Sequence, residues 1–232
     1  MCQRSRRGAG SPDAVHTAGW SDVSEVSRPR RTQQERRAAT VTKLVDATIA
    51  AIGEVGYQRS TVQEICGRAG LSAGAMFRQF DTRLDLIVRT AEEGFRRQID
   101  GYRSTMEHLG AQDNALDTAL RFLRAAQSSN LSHALREIFL AARSDTELCA
   151  RIEPIAAAYY GEIVATLDRT GLLDDFPPNV REPIFFMMLH LFSGEAVVRG
   201  VYPRPDVDAA VLTLVEEMLA MYAARVAPPP ED

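Results

Sequence analysis

From Gln33 onward the apolar residues fall into helical register. Val41, Leu44, Val45, Thr48, Ile49, Ile52 and Val55 recur at three- and four-residue steps and stop at Gly56. That spacing gathers them on one face and predicts an amphipathic helix over residues 33–55. Thr61-Val62-Gln63-Glu64 has the form of a capping box and opens a second, shorter helix with Val62, Ile65 and Ala69 inward. Gly70-Leu71-Ser72 breaks it, and Ser72 is placed to cap a third helix running to Phe80. The capping pattern returns at Thr82 to Asp85, at the head of a long fourth helix.

The helical pattern then continues to the end of the chain, with breaks expected near Gly110 to Asp113, Ser128 to Asn130, Ser144-Asp145, Gly171 to Pro178 and Gly200 to Pro205. The last helix carries Val207, Val211, Leu214, Val215, Met218, Met221 and Tyr222 at helical spacing. No stretch alternates at period two, and there is neither an internal repeat nor a glycine-rich phosphate loop. The expectation is an all-α chain of about nine helices. Pro154 is expected to kink its helix, making room for a cavity, or to mark a new helix start. Residues 1–32 have few apolar positions and no period, and read as a disordered basic tail. Two other readings stand beside that one: an arm of Arg28, Arg30 and Arg31 gripping phosphates, or a translation start further downstream.

Composition narrows the class. Apolar residues make up 45% and charged residues 25% of the 232, the balance of a soluble globular protein with a substantial core. The longest apolar run, Ile184 to Phe192, is about half the roughly 18 residues a membrane span needs. Cys2, Cys66 and Cys149 are scattered without metal-ligand spacing, and no apolar leader is present, so the expected compartment is the cytoplasm. Charge is uneven along the chain: residues 1–90 carry 14 Lys+Arg against 9 Asp+Glu, whereas residues 91–232 carry 13 against 22. A basic first third suggests a polyanion-binding head on an acidic body.

Thr61 to Phe80 has the grammar of a helix-turn-helix. Two short helices flank a tight glycine turn, and Leu71 plugs the space between them. Small residues at the head of the second helix (Ser72, Ala73, Gly74 and Ala75) suit close approach to phosphates and a groove floor. The string Gly56-Tyr57, Ser60-Thr61-Val62, Ile65, Ala69-Gly70-Leu71-Ser72, Gly74, Phe77-Arg78, Phe80 and Arg83 through Leu86 resembles the N-terminal signature of the TetR family of transcriptional regulators. The match covers about residues 33–87; beyond it the likeness is one of length and helix count.

The resemblance implies a DNA-binding domain at 33–83 and a helical effector-binding and dimerisation domain at 84–228. It implies a homodimer on a palindromic double-stranded operator, most commonly a repressor released by a small, largely apolar effector. Carried over by position, it makes Thr61 a phosphate-facing cap and sets Ser72, Ala73 and Ala75 on the leading edge. Arg78 and Gln79 become candidate base readers. Arg36, Arg37 and Arg83 become phosphate contacts. Phe77 stands where the family usually has tyrosine, keeping the packing and losing a phosphate hydrogen bond. Structural alternatives remain open: Thr61 and Ser72 serve as caps without DNA, Arg78 and Gln79 fit a solvated face, and Cys66 reads as packing rather than redox sensing.

In the second half, Met106, Phe122, Phe139, Tyr159, Tyr160 and Met187 are candidate effector contacts, and equally ordinary core. A buried phenol wants a polar partner, which favours Tyr159 and Tyr160. Segments 183–199 and 206–224 are the dimer interface by position in the family plan. Glu195 and Arg199, four apart, suit an intrahelical ion pair or a pair across the dimer axis. His108, His133 and His190 are isolated, and Ser193-Gly194-Glu195 lacks the context of a nucleophile elbow. No metal, cofactor or catalytic residue is expected, so an enzyme is the disfavoured reading.

Overall fold

The computed structural model describes residues 32–109 and 115–226; among them it has nine α-helices and no strand. α1 (Gln33–Val55) keeps the predicted bounds and buries Leu44, Val45, Thr48, Ile49 and Ile52. Thr48 enters this core with its hydroxyl donating to the Leu44 carbonyl at 2.7 Å, so no polar atom is orphaned. α2 (Val62–Ala69) and α3 (Ala73–Phe77) follow, then α4 (Arg83–Leu109), α5 (Ala115–Gln127), α6 (Asn130–Ala142), α7 (Thr146–Thr170), α8 (Pro178–Arg199) and α9 (Pro205–Val226). The breaks expected at 128–130, 144–145, 171–178 and 200–205 fall between these helices. The break at 110–113 and, Thr32 apart, the expected tail lie outside the described residues.

Three local expectations need correction. α3 ends at Phe77 rather than Phe80, because the chain tightens there: the Gln79 amide donates to Met76 O, only three residues back, at 2.8 Å. The capping box at Thr61 is half formed. Thr61 Oγ1 accepts from the Glu64 amide at 3.2 Å, but the Glu64 carboxylate turns to Arg68 Nε at 2.7 Å. The box at Thr82 is complete, with Asp85 Oδ2 accepting from the Thr82 amide at 2.8 Å and Thr82 Oγ1 from the Asp85 amide at 3.1 Å. Pro154 does not start a new helix, since α7 runs through it. Pro154 and Ala150, whose carbonyl loses its bond, both lie on the exposed face, where water can take that bond.

α4 is the axis of the molecule, packing against α1 on one side and α5, α6 and α7 on the other. α1 also lies along α6. Their approach is close at Gly53, where a Cβ would stand 1.9 Å from Asn130 Oδ1, so a side chain there would have to displace that of Asn130. Two polar links tie α1 and the turn after it to α6 and α4. Glu137 Oε2 on α6 accepts from the Tyr57 amide at 3.2 Å. Arg97 on α4 joins Glu93 Oε1 at 2.9 Å to Asp46 Oδ1 on α1 at 2.7 Å. No helix among the described residues is long and apolar enough to cross a membrane.

Candidate nucleic-acid interface

The reading element is built from backbone geometry that its sequence dictates. Gly70 ends α2 at φ +64°, a left-handed conformation that costs glycine little, and its amide bonds back into the last turn. Leu71 follows, donating its amide to Cys66 O at 3.0 Å while its side chain packs on the core. Ser72 then caps α3, its Oγ accepting from the Ala75 amide at 3.1 Å. Ile65, Cys66 and Met76 are buried beneath α2 and α3 and fix their crossing. Burial pushes the Cys66 thiol pKa up, which suits packing and not thiolate chemistry.

What α3 presents outward is small at its head and long at its end. Ser72, Ala73 and Gly74 are exposed, and so are Phe77 and Arg78. Among the described residues nothing demands the glycine at 74, because a Cβ there would meet nothing nearer than Ser72 Oγ at 3.9 Å. Ala75 departs from its expected place: it is buried on the inner face, since α3 turns it towards the head core. Phe77 departs too. It is 51% exposed, a large ring on the outer surface rather than a packing residue.

The polar side chains differ in what they face. Arg78 caps α3 with its side chain exposed at the end of the reading face. Gln79 Oε1 accepts from Arg37 Nε at 3.1 Å, which ties the head of α1 to the end of α3. Arg36, on the same turn of α1, is exposed. Arg83 faces inward instead of outward: Nε donates to Ser60 O at 2.8 Å and Nη2 to Tyr57 O at 2.6 Å, while the guanidinium sits 4.6 Å from the Tyr57 ring centroid. Its geometry clamps the α1–α2 connection. Thr61 stays exposed while capping α2.

The family model described as bacterial regulatory proteins, tetR family, matches residues 44–90, from the core of α1 into α4. An uncharacterised helix-turn-helix-type transcriptional regulator of Mycobacterium tuberculosis is 34% identical over 189 residues, covering 82% of this chain and 97% of its own length. The chain belongs to the TetR family. The helix-turn-helix-type transcriptional repressor KstR of Rhodococcus jostii is 29% identical over 93 residues, 40% of each chain. The fold matches that of a TetR family transcription regulator from Marinobacter aquaeolei with a TM-score of 0.57 at 16% identity, covering 85% of this chain and all of that one.

In the body of this TetR-family regulator, the six candidate effector residues part company. Phe139, Tyr159 and Tyr160 meet at one cavity of about 490 Å³. The other three do not reach it. Met106 is buried and lines a shallow groove beside Arg103, Phe122 packs on Tyr102 with ring centroids 6.5 Å apart, and Met187 stands half-exposed in a groove between α8 and α9. Phe95 of α4, not singled out in the sequence, organises the cavity wall: it stacks on Tyr159 at 4.5 Å and meets Phe139 edge-on at 5.9 Å. Burial raises both tyrosine pKa values, so these phenols stay protonated donors.

The sequence reading also missed Arg136 and Arg143, which line the same cavity. A signal was available: Ser132, Leu135, Arg136 and Phe139 fall on one face of α6, continued by Arg143 at its C-cap, mixing basic with apolar residues. Glu195 pairs within its own chain, with Arg124 of α5 and with Arg199 at 3.4 Å, rather than waiting for a partner. No cluster of three or more metal-ligating side chains occurs among the described residues.

Proposed function

We propose that this TetR-family regulator is a homodimeric repressor that binds a palindromic operator through α3 and is released by a small effector held in the body. Residues 33–83 act as the reading head and residues 84–228 as the effector and dimerisation body. One observation carries the ligand-responsive reading: a single helix, α6, lines the cavity with Leu135, Arg136 and Phe139 and touches the head through Asn130 and Glu137. A ligand that shifts α6 cannot leave the seat of the head unchanged. α4, which runs from the capping box beside the head into the cavity wall, is the second element such a shift would move.

A dimer must hold its two reading helices roughly 34–36 Å apart to enter successive major grooves. An effector that favours another spacing by several kcal/mol is enough to empty the operator. KstR, a repressor by name, lends the direction of control. The open cavity speaks against a constitutive binder whose body is filled by side chains.

A mobility-shift assay with the DNA upstream of the regulator's own gene cluster tests the reading. The wild-type protein is expected to shift this DNA as a dimer, and Arg78→Ala with Gln79→Ala to lose sequence preference. If the protein ignores such DNA at low salt and the double variant behaves like wild type, the repressor reading falls.

A further inference from the structure

The cavity that Phe139, Tyr159 and Tyr160 share is apolar over most of its wall but carries unbalanced charge. Arg136 and Arg143 both line it, and none of its lining residues is an aspartate or glutamate. Among the described residues no acidic side chain pairs with Arg136. Its Nη1 donates to the Gln127 carbonyl at 2.9 Å, and its Nη2 lies 3.0 Å from His133 Nδ1. Arginine can only donate, so His133 accepts at Nδ1 and carries its own proton on Nε2. The Nε atom is sealed from solvent and has no partner among the described residues, so the guanidinium meets only neutral acceptors.

Gln127 answers that charge only with neutral oxygens, and Gln98 and Ser132 are occupied with each other and the backbone. Gln98 Nε2 donates to Ser132 Oγ at 2.7 Å, and Ser132 Oγ donates to Ala126 O at 2.7 Å. Glu137, next along α6, is engaged with the Tyr57 amide. A half-buried guanidinium without a counter-ion is costly, and its fork suits a carboxylate.

We propose that this cavity binds an amphipathic carboxylic acid. The carboxylate pairs with the Arg136 guanidinium, whose side chain lines the cavity, Arg143 stands at the exposed rim, and the aliphatic or aromatic body of the ligand lies among Phe95, Phe139, Tyr159 and Leu189. The proposal rests on reading the cavity as the effector site and replaces a purely apolar effector with an anionic one. A volume of about 490 Å³ falls within the range of pockets that enclose drug-sized ligands.

The test titrates the full-length chain calorimetrically with decanoate and phenylbutyrate, each against its primary amide, and follows operator release in parallel. At least one acid is expected to bind saturably at one site per chain, about tenfold or more tighter than its amide. Arg136→Gln is expected to erase that preference, weakening the acid far more than its amide, and Arg143→Gln to reduce it by less. Should Arg136→Gln fail to fold by circular dichroism, the acid-to-amide ratio in wild type and in the exposed-site variant Arg143→Gln decides. Equal affinities, tighter amides, no saturable binding of either acid, or an Arg136→Gln protein that keeps the preference each overturns the proposal. Acids that bind through Arg136 without loosening the operator would uphold it and sink effector release. Amides that release the operator where acids do not would do the reverse.

Discussion

Phe77 illustrates how a single ring can be placed by the fold and left unfinished chemically. Its neighbours Ala75 and Met76 turn into the head core, while Phe77 is half in solvent at the end of the reading face. An exposed phenyl contributes little to folding, so replacement should be cheap, and a phenolic oxygen there could reach a phosphate. Phe77→Tyr is expected to leave the melting temperature unchanged and to tighten operator binding by about two- to tenfold, the worth of one added hydrogen bond. Fluorescence anisotropy on the operator duplex would check it; an unchanged or weakened affinity removes the ring from the phosphate-contacting set. Arg83 teaches the opposite lesson. As a charged residue in a matching motif position it reads as a phosphate ligand, yet two backbone carbonyls and the Tyr57 face take its guanidinium. Sequence shows that a cation is present and cannot show which acceptor lies nearest.

At the scale of helices, the junction between head and body concentrates polar links that a hydrophobic pattern does not reveal. Glu93 on α4 receives Arg96 at 2.7 Å and Arg97 at 2.9 Å, and Arg97 reaches on to Asp46 of α1. The Arg96 hydrogen bonds, followed by those of Arg97, overcome the cost of partial burial and hold the Glu93 carboxyl at about 2, against an ordinary 4.5. A depressed acid stabilises the fold fully above its unfolded pKa and loses that contribution as pH falls through the folded one. Glu93→Gln should therefore lower the melting temperature near pH 7, with the deficit shrinking progressively as the pH falls from about 4.5 towards 2. Thermal melts across that window would settle it, and a pH-independent deficit would mean that packing, not charge, is lost. Helix bounds were legible because period and caps agree: α1 matches its prediction, and Gly171, Pro178, Gly200 and Pro205 punctuate as expected. The meeting of α1 with α6 was not, because Gly53 and Asn130 are 77 positions apart and nothing local to either announces the contact. The cavity was half legible for the same reason. Aromatic residues mark apolar interior, but Phe122 and Met187 look like Phe139 and Tyr159 until α4 to α9 are packed.

For the whole molecule, the decisive surface is the outer face of α8 and α9. Met187 and Leu191 on α8 and Leu214, Met218 and Met221 on α9 are exposed, and Met187, Leu191 and Met218 line one apolar groove between the two helices. The segments expected to dimerise by position in the family plan carry this face, and a two-fold axis there would bury it against its own copy. Two reading heads on one rigid dimer bind DNA far better than one, since the second contact becomes intramolecular. Met218 is 54% exposed within the chain, so charging it should not disturb the fold of the subunit. Met218→Glu places two like charges at a self-complementary contact, with no partner for either. The variant is expected to sediment as a monomer at micromolar concentration, to retain its helical circular dichroism signal, and to bind the operator about a hundredfold more weakly or worse. A variant that stays dimeric with wild-type operator affinity would place the interface elsewhere. The spacing of the two heads would then have to be set by a surface other than the α8–α9 face.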